Sequence, residues 1–309
     1  MNNCLIFSGT ANPDLSEKIA ASLGKKLGKI NIYRFLDKEI SLQIEENIRG
    51  KDIFIIQPTC PPVNENLMEL LITMDAFRRA SPKRVTAVLS YYGYARQDRK
   101  DKPRVPITAK LVANLLVSAG ADRILTMDLH SPQIQGFFDI PVDHLFAAPV
   151  IVNYLKGKNI KNPVVVAPDV GGVKTARAFA KRLNAGLAIV DKRRIGPDMV
   201  ETVHTIGSVK NCEAIIIDDM ISTGNTVVEA AHKLLNEGAA AIYAACTHPV
   251  FSNNIAEKLN TSLFKEVIIT DTIATGSFPP HFVKLSVSEL LAEAIKRIHL
   301  ETSVSSLFI

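Results

Sequence analysis

The stretch IIIDDMISTGNTV, residues 215–227, carries the feature on which the interpretation of this chain depends. Three isoleucines predict a buried β-strand, and two adjacent carboxylates, Asp218 and Asp219, come directly after them. A short loop of serine, threonine, glycine and asparagine then leads into a helical pattern that begins near Asn225. Because ligands of open α/β sheets lie at the carboxyl ends of strands, this stretch predicts a binding site at such an edge.

The loop after the carboxylates suits an anion. Ser222, Thr223 and Thr226 supply hydroxyl groups, and the backbone N–H groups lie where the following helix exposes its positive end. Such a loop favours phosphate, whereas Asp218 and Asp219 would repel a phosphate at close range. A sugar phosphate satisfies both demands, with its phosphate in the loop and its hydroxyl groups, or a hydrated cation, against the carboxylates.

A simpler alternative is that Asp218 only ends a strand and Asp219 caps the next helix, which is a common use of aspartate. Two acids followed by a hydroxyl-rich loop with a glycine favour the functional interpretation.

The composition predicts a two-domain protein that acts on small anionic molecules. The chain has 309 residues, 47% hydrophobic and 22% charged, and its net charge of +5 is too mild to indicate a nucleic-acid partner. Tryptophan is absent and aromatic residues are sparse, which argues against a stacking surface for single strands. The sequence shows no secretion signal and no run of about 20 apolar residues that would span a bilayer, so we expect a cytoplasmic protein with no membrane partner.

The cysteines predict neither a disulfide framework nor a zinc site. Cys4, Cys60, Cys212 and Cys246 are far apart and lack metal-binding spacing, so reduced, mostly buried thiols are expected.

Short apolar runs alternate with amphipathic helical patterns from end to end, which predicts an α/β fold built on parallel sheets. Two prolines in the apolar segment around residue 145 place the domain boundary there, giving domains 1–145 and 146–309 of similar build. Predicted strands are 52–58, 85–92, 123–129, 163–169, 186–192, 214–219 and 241–248, and predicted helices include 64–80 and 225–239.

The C-terminal region predicts a helix followed by a docking segment. Ser286 and Glu289 have the spacing of a capping box at the start of the last helix. The apolar tail would be costly to leave in water, so residues from about 295 to 309 are expected to dock back on the N-terminal domain.

Taken with the rest of the chain, residues 215–227 resemble the ribose-phosphate binding signature of the phosphoribosyltransferase fold. The whole chain resembles the ribose-phosphate diphosphokinases of the phosphate-dependent class I, also called phosphoribosyl pyrophosphate synthetases. The segments that carry this resemblance are FSGTANPDLSEKIA, NLMELL, YYGYARQDRKD, TMDLHSPQIQGFFDIPVDHL, PDVGG, VDKRR and SVSSLF.

The resemblance implies two similar phosphoribosyltransferase-like domains, each a mainly parallel sheet flanked by helices. It implies transfer of the diphosphoryl group of MgATP to the anomeric hydroxyl of ribose 5-phosphate, which gives AMP and 5-phosphoribosyl 1-diphosphate for nucleotide, histidine and tryptophan biosynthesis. It also implies Mg²⁺ as cofactor, inorganic phosphate as activator, and an allosteric homohexamer.

The implied nucleotide site draws on two segments. The basic loop YARQDRKDKPR, residues 94–104, would be a solvated surface if taken alone, and FLDKE, residues 35–39, an exposed turn. By resemblance the second segment reaches the nucleotide of a neighbouring subunit. No GxxxxGK[ST] phosphate loop is present in the sequence, so the triphosphate must bind by other means. The implied ATP-binding residues are Phe35, Asp37, Lys38, Glu39, Arg96 and Gln97.

His130 and Asp169 each follow a predicted strand. Taken alone, such a histidine is more often structural, and an aspartate before two glycines more often makes a turn. By resemblance both residues hold Mg²⁺, directly or through water, and Gly171 and Gly172 form a loop that approaches the diphosphate. Sparse protein ligation suits Mg²⁺, which keeps several waters and binds substrate phosphates.

The segment VDKRRIGPDMVE, residues 190–201, would be a mobile charged loop if taken alone. By resemblance it closes over the reacting phosphates, with Lys192 and Arg194 as catalytic residues. A cationic lid of this kind neutralises developing charge and excludes water. The implied ribose 5-phosphate site comprises Arg194, Asp218, Asp219, Ser222, Thr223, Gly224, Asn225 and Thr226.

Two segments depart from the family pattern. Bacterial members commonly carry Asp at the position of Ser222 and Ala-Gly at the positions of Gly224 and Asn225, and a serine cannot act as a carboxylate base. Asn47 stands where a regulatory phosphate and ADP site often has Ser. The implied regulatory residues that are retained are Arg49, Arg104, Ser303 and Phe308.

Two alternative functions stay open from the residues. Residues 215–227 alone do not exclude a phosphoribosyltransferase, although the two-domain length and the basic loop 94–104 argue against one. A non-catalytic regulatory subunit related to the synthetases would be expected to have altered lid or metal positions, whereas Lys192, Arg194, His130 and Asp169 are all present.

Overall fold

The computed structural model describes residues 3–193, 202–252, 254–260 and 262–307. The chain divides into two compact units. The first unit holds the chain through Phe146, the segment Thr272–Ala274 and the chain from Ser286 onward, and the second holds Ala147–Asp271 and Thr275–Leu285. The domain limits drawn from the sequence remain a prediction, and the structure adds that the segment returning to the first unit begins well before residue 295.

The described residues form strands and helices in alternation. In chain order the strands are β1 (Cys4–Ser8), β2 (Ile30–Arg34), β3 (Ile40–Ile44), β4 (Asp52–Ile56), β5 (Arg84–Leu89), β6 (Arg123–Met127), β7 (Val142–Leu145), β8 (Pro163–Ala167), β9 (Gly186–Arg193), β10 (Thr202–Ile206), β11 (Glu213–Ile221), β12 (Ala241–Pro249), β13 (Glu266–Thr270) and β14 (Phe282–Leu285). The α-helices are α1 (Pro13–Ser22), α2 (Val63–Arg79), α3 (Thr108–Ala119), α4 (Ala148–Lys156), α5 (Val173–Leu183), α6 (Asn225–Asn236), α7 (Ile255–Lys258) and α8 (Ser288–His299), with 3-10 turns at Pro132–Phe137 and Ser305–Leu307. Among these helices, none is long and apolar enough to cross a membrane.

The first unit is built on a parallel sheet with the strand order β1-β4-β5-β6-β7 in the described part of the chain. Every residue of β4 is buried, as expected for a parallel strand covered on both faces. Helices α2 and α3 cover one face, where Phe7 of β1 packs edge-on against Phe77 of α2 with ring centroids 4.6 Å apart. Strands β2 and β3 form a separate antiparallel hairpin.

The second unit has the strand order β10-β9-β8-β11-β12-β13-β14 over its described residues. Only β10 is antiparallel to its neighbour there. From β8 the chain moves outward to β9 and β10, then returns to β11 on the other side of β8 and continues in the opposite direction. The pair β8 and β11 is therefore the topological switch point, where ligands of open α/β sheets bind.

The α/β prediction is confirmed, and so is the prediction of reduced cysteines. None of the four cysteines, all of which lie in the described ranges, forms a disulfide. Cys4, Cys60 and Cys246 are buried and Cys212 is partly buried.

Several strand ends differ from the predictions. Strand β5 ends at Leu89 and not at Tyr92, because the two tyrosines of the following loop are buried without belonging to the sheet. The Tyr92 hydroxyl donates to the Ala109 carbonyl at 2.8 Å, which explains why an apolar run continues past the strand. Strand β11 extends beyond its predicted end at Asp219 to Ile221, because it keeps pairing with β12 after β8 has ended.

The predicted capping box at the last helix is wrong. Helix α8 begins at Ser288, its N-cap residue is Val287, and no side chain caps it within the described residues. The Ser286 hydroxyl instead accepts the backbone N–H of Ser288 at 3.3 Å and donates to the Ser288 hydroxyl at 3.0 Å. This local turn competes with the capping box for the Ser286 side chain.

Helix α8 packs in the first unit, and a buried charge cluster holds its C-terminal end. Asp52 at the start of β4 accepts two hydrogen bonds from the Arg84 guanidinium and lies 2.8 Å from His299 Nδ1. The same guanidinium donates to the Ile298 carbonyl at 3.0 Å. A cation at the carboxyl end of a helix also favours the helix dipole.

Candidate functional site

The acidic pair lies in the carboxyl half of the central strand β11. Asp218 pairs with Cys246 of β12 on one side, but pairing with β8 on the other side ends at Ile216. Asp218 and Asp219 therefore border the crevice that opens at the switch point. The Asp219 N–H donates to Asp218 Oδ1 at 2.9 Å, which holds the first carboxylate beside the backbone of the second.

The environment of this pair disfavours the charged form of Asp218. Loss of solvation, together with the neighbouring carboxylates of Asp219 and Asp169, raises the pKa of Asp218 to about 9. Burial likewise raises the pKa of the Cys246 thiol well above its ordinary value, so this thiol stays protonated. Crowded carboxylates at low dielectric favour a ligand that brings hydroxyl donors or a cation to them.

The loop after the strand has the geometry of an anion site. Gly224 adopts a left-handed backbone with φ 75° and precedes the first turn of α6, which begins at Asn225. No side chain of the described residues caps this helix, so its first N–H groups remain available to a ligand. Ser222 and Thr226 are partly buried, and Thr223 is exposed.

A second segment braces this loop, and the sequence interpretation missed it. The carbonyl of Ser222 accepts the N–H of Ser252 at 3.1 Å and its hydroxyl at 3.3 Å. Lys258 Nζ donates to the Thr223 carbonyl at 3.0 Å and to Asn225 Oδ1 at 2.9 Å. The available signal was the neighbouring strand: parallel strands end at one edge, so the segment after β12 had to lie beside the loop after β11.

The loop after β8 contributes Asp169, Gly171 and Gly172. Asp169 Oδ1 accepts the Gly172 N–H at 3.0 Å, so the turn-forming role that an aspartate often takes is present. The carboxylate is nevertheless exposed, and its charge acts on Asp218. The structure thus brings together two predictions that were separate in the sequence, a metal-binding aspartate and a ribose-binding pair.

In the first unit, Arg96 and Gln97 lie in an exposed loop tied to the start of α3. The Gln97 N–H donates to the Tyr94 carbonyl at 2.9 Å, and its own carbonyl accepts the Ala109 N–H at 3.1 Å. Its side-chain oxygen accepts from the Thr108 hydroxyl. The position of Gln97 in this loop is therefore defined, while both residues remain predictions as ATP ligands.

His130 is exposed at the carboxyl end of β6. The preceding Leu129 N–H donates to His144 Nε2 at 2.9 Å, and the other ring nitrogen of His144 lies 3.2 Å from Gln135 Nε2. His144 thus has a structural role in this region. His130 belongs to the first unit and Asp169 to the second.

The described residues contain no group of three or more His, Cys, Asp or Glu side chains that would hold a metal ion. Mg²⁺ does not require such a group, since it keeps several waters and binds substrate phosphates. The exposed carboxylate of Asp169 is a hard oxygen ligand, and only its Oδ1 is engaged by the turn to Gly172. The chemistry of this residue fits a sparsely ligated Mg²⁺.

The segment FLDKE forms the tip of the β2–β3 hairpin. Phe35 is 51% exposed and Leu36 is fully exposed, a costly arrangement for apolar side chains in water. The tip is well defined: the Phe35 N–H donates to the Glu39 carbonyl at 2.9 Å, Asp37 Oδ1 accepts the Glu39 N–H at 3.1 Å, and Lys38 has φ 73°. An ordered tip with exposed apolar residues is typical of a contact surface.

The predicted lid lies mostly outside the described residues. The backbone of Lys192 pairs with Val203 in the β9–β10 ladder. The Lys192 side chain, and all of Arg194 and Phe308, lie outside the described residues.

The other predicted regulatory residues are exposed. The Arg49 N–H donates to Asn47 Oδ1 at 3.2 Å, and Arg104 has φ 63°. Ser303 accepts from Arg297 Nη1 through its carbonyl at 3.1 Å and from the Ser305 N–H through its hydroxyl at 3.2 Å. Their regulatory role remains a prediction.

An acidic pair and a loop suited to an anion at the switch point of a parallel sheet are typical of α/β proteins that bind a phosphorylated, hydroxyl-bearing small molecule. Comparison with known proteins narrows this class. Residues 4–120 match the family described as the N-terminal domain of ribose phosphate pyrophosphokinase, and residues 194–309 match the phosphoribosyl synthetase-associated domain.

Relatives over the full chain carry one name. Ribose-phosphate pyrophosphokinase 1 of Spinacia oleracea is 56% identical over 98% of this chain and 92% of the relative. Ribose-phosphate pyrophosphokinase of Bacillus subtilis (strain 168) is 51% identical over 99% of this chain and 97% of the relative. The crystal structure of phosphoribosylpyrophosphate synthetase from Mycobacterium smegmatis matches with a TM-score of 0.92 and 39% identity, covering 97% of this chain and 99% of that chain. This chain belongs to the ribose-phosphate pyrophosphokinase family.

Proposed function

We propose that this chain is an active ribose-phosphate pyrophosphokinase. It transfers the diphosphoryl group of ATP to the anomeric hydroxyl of ribose 5-phosphate and releases AMP and 5-phosphoribosyl 1-diphosphate. The observation that carries the proposal is the switch-point site, in which Asp218 and Asp219 adjoin an uncapped helix N-terminus. Identity above 50% to pyrophosphokinases over the full chain supports it further.

The sugar phosphate binds across β11 and its loop. The 5-phosphate lies against the N–H and hydroxyl groups of residues 222–226, because these donors and the α6 dipole favour an anion. The ribose hydroxyls donate to Asp218 and Asp219, whose crowding makes hydroxyl donors favourable. This arrangement orients the anomeric hydroxyl for attack on the β-phosphorus of ATP.

Mg²⁺ is the proposed cofactor, and Asp169 and His130 are the residues that would hold it. When bound, it supplies neutralisation of the charge on the phosphate oxygens of ATP. The N–H groups at Gly171 and Gly172 approach the diphosphate, since neither residue carries a side chain that would block it.

The remaining roles fall to charged and polar side chains on loops. Arg96 and Gln97 hold ATP, and Lys192 and Arg194 close over the reacting phosphates, where their charge stabilises the transition state and the closed loop excludes water. Ser222 has no basic form near neutral pH, so it is not assigned the removal of a proton from the sugar hydroxyl.

The assembly is proposed to be a homohexamer in which the hairpin tip 35–39 serves the nucleotide of a neighbouring subunit. The exposed Phe35 and Leu36 support this role, because such side chains gain by burial in an assembly. Activation by inorganic phosphate and a regulatory site at Arg49, Arg104, Ser303 and Phe308 belong to the same proposal. A cytoplasmic location is also proposed, although Arabidopsis thaliana relatives at 55% identity are named chloroplastic.

The test is chromatography of nucleotide products after mixing the purified protein with ribose 5-phosphate, MgATP and inorganic phosphate. Sugar-dependent AMP with an equimolar amount of phosphoribosyl diphosphate is expected, and a control without sugar should give none. Folded protein that forms no AMP would contradict the proposal and favour a regulatory subunit. In that case Ser222→Asp would test whether the serine is the cause.

A further inference from the structure

We infer that Lys258 is a positioning residue for the phosphate of the sugar substrate: it holds the loop 222–226 in its anion-binding form and sets the affinity for that phosphate. This inference rests on the proposed function. Lys258 lies on α7, more than 30 residues along the chain from the loop, and sequence motifs did not indicate it.

The first observation is that Lys258 bonds to both sides of the loop's turn. Its Nζ donates to the Thr223 carbonyl at 3.0 Å and to Asn225 Oδ1 at 2.9 Å, so one ammonium group links the residues on either side of Gly224. Both acceptors carry negative partial charge within the loop. An ammonium group that engages them removes a source of repulsion toward a bound phosphate and adds a favourable charge.

The second observation is that α7 also packs on the turn itself. A Cβ atom at Gly224 would lie 2.8 Å from Ile255 Cδ1 and 3.6 Å from Leu259 Cδ2. Ile255 and Leu259 are both buried. Ile255 of α7 and Leu259, which follows it, therefore fit closely against Gly224, while Lys258 reaches the flanking residues.

The third observation is that contacts on both sides of α7 anchor it in the second unit. His281 Nε2 lies 2.7 Å from the Leu259 carbonyl, directly after the helix. Phe251, which precedes the helix, packs edge-on against Phe278 at 5.4 Å and Phe282 at 6.2 Å between ring centroids. These contacts position the helix that carries the exposed Lys258 beside the loop.

The test measures substrate binding and kinetics for Lys258→Met and Lys258→Arg. For K258M we expect the dissociation constant and the KM for ribose 5-phosphate to rise about ten-fold, the scale of one lost charge-assisted interaction. The KM for MgATP and kcat should change less than about two-fold, since Lys258 affects a ground-state contact of the sugar alone. K258R keeps the charge and should restore most of the affinity.

Lys265→Met is the matched control. Lys265 lies in the same unit, donates to Glu213 Oε1 at 3.0 Å and lies over the Tyr243 ring, and neither of these contacts involves the loop 222–226. K265M should lower thermal stability without changing ribose 5-phosphate binding. If K258M binds ribose 5-phosphate as tightly as the wild type, or if the KM values of both substrates rise together, the inference is wrong.

Direct titration separates this inference from the proposed function. Calorimetry with ribose 5-phosphate and with inorganic phosphate needs no turnover. A wild type that binds the sugar phosphate but forms no AMP would defeat the proposed reaction, and the comparison with K258M would still decide the role of Lys258. A wild type that binds neither probe would defeat both.

Discussion

At the scale of single residues, the acidic pair holds a carboxyl group in an environment that disfavours its charged form. Asp218 is partly buried, and loss of solvation with the charges of Asp219 and Asp169 raises its pKa from the ordinary 3.8 to about 9. Evolution usually removes such an arrangement from a core, because it costs stability. A binding role for hydroxyl groups or a cation explains why a site would keep it.

Asp218→Asn should stabilise the unliganded protein and abolish turnover. At pH 4, close to the ordinary pKa of 3.8, the folded chain holds the Asp218 proton and the unfolded chain is only partly ionised there, so Asn brings little gain. As the pH rises toward about 9, the unfolded chain ionises while the folded chain keeps the proton, so wild-type stability falls and the advantage of Asn grows. Denaturant unfolding at pH 4 and pH 8 should show a gain of about 1 to 3 kcal/mol only at pH 8.

Asp75→Asn is the control for that measurement. Asp75 is exposed, and its hydrogen bond from Arg79 lowers its pKa. The pKa shift of Asp75 is therefore opposite in sign to that of Asp218. D75N should not gain stability at pH 8. An equal gain in D218N at both pH values would show that packing, and not charge, decides the effect.

At the scale of elements, the β11–α6 junction packs against α7. Gly224 is needed for two reasons: its φ of 75° strains any side chain, and a Cβ would lie 2.8 Å from Ile255 Cδ1. Strand, loop and helix are contiguous in sequence, but the element that holds the loop comes after the next strand.

Gly224→Ala should destabilise the protein by about 1 to 2 kcal/mol for the left-handed backbone alone and weaken ribose 5-phosphate binding. Unfolding in urea and calorimetric titration measure the two effects. Gly276→Ala is the control, because Gly276 lies in the same unit, has ordinary φ and has no heavy atom within 4 Å of a built Cβ.

The contact with Ile255 can be separated from the backbone cost. Ile255→Val removes the Cδ1 atom that the new Cβ would meet, so the double variant G224A/I255V should lose less stability than the sum of the two single variants. Additive losses would mean that the contact with α7 has no part in the strain.

At the scale of the whole molecule, the C-terminal helix is tied into the first unit by one buried carboxylate. Asp52 accepts from Arg84 and lies beside His299, and Arg84 also holds the last turn of α8 through Ile298. Asp52 raises the pKa of the Arg84 guanidinium, which marks a favourable interaction with the charged form. This cluster joins β4, β5 and α8.

Asp52→Ala should lower the free energy of unfolding by about 3 kcal/mol, because it leaves a partly buried guanidinium without its partner. Hydrogen exchange should rise over Ser288–His299. Asp75→Ala removes an exposed partner of Arg79 and should leave both measurements nearly unchanged. Unchanged exchange over α8 in D52A would show that apolar packing alone holds the helix.

The assembly leads to a complementation prediction. If the hairpin tip serves a neighbouring subunit, a protein with Phe35→Ala and Glu39→Ala and a protein with Lys192→Ala should each lose activity, K192A by about 100-fold or more. Subunit exchange in a mixture should then restore a measurable fraction of wild-type AMP formation, because some sites combine an intact hairpin with an intact Lys192. A mixture no more active than its components would place both elements in one subunit. Near-normal turnover of K192A would remove the lid hypothesis.

The sequence predicted the fold class and most strands correctly, but not every strand end or helix cap. The α/β class and the position of most strands followed from apolar runs, because hydrophobic periodicity is a local property. Strand ends at Tyr92 and Asp219 were wrong, since buried loops and continued pairing depend on neighbours that are distant along the chain. The capping-box prediction was wrong because the Ser286 hydroxyl accepts the Ser288 N–H in a local turn.

The sequence by itself determined that an acidic pair precedes an anion loop at the carboxyl half of a strand, since strand, carboxylates and loop follow one another along 13 residues, 215–227. Only the tertiary structure decided that this strand lies beside β8 at the switch point, that the charge of Asp169 reaches Asp218, and that Lys258 braces the loop. The physical reason is that strand order is set by packing and hydrogen bonding across the sheet, and it brings together side chains whose separation along the chain carries no sign of their contact.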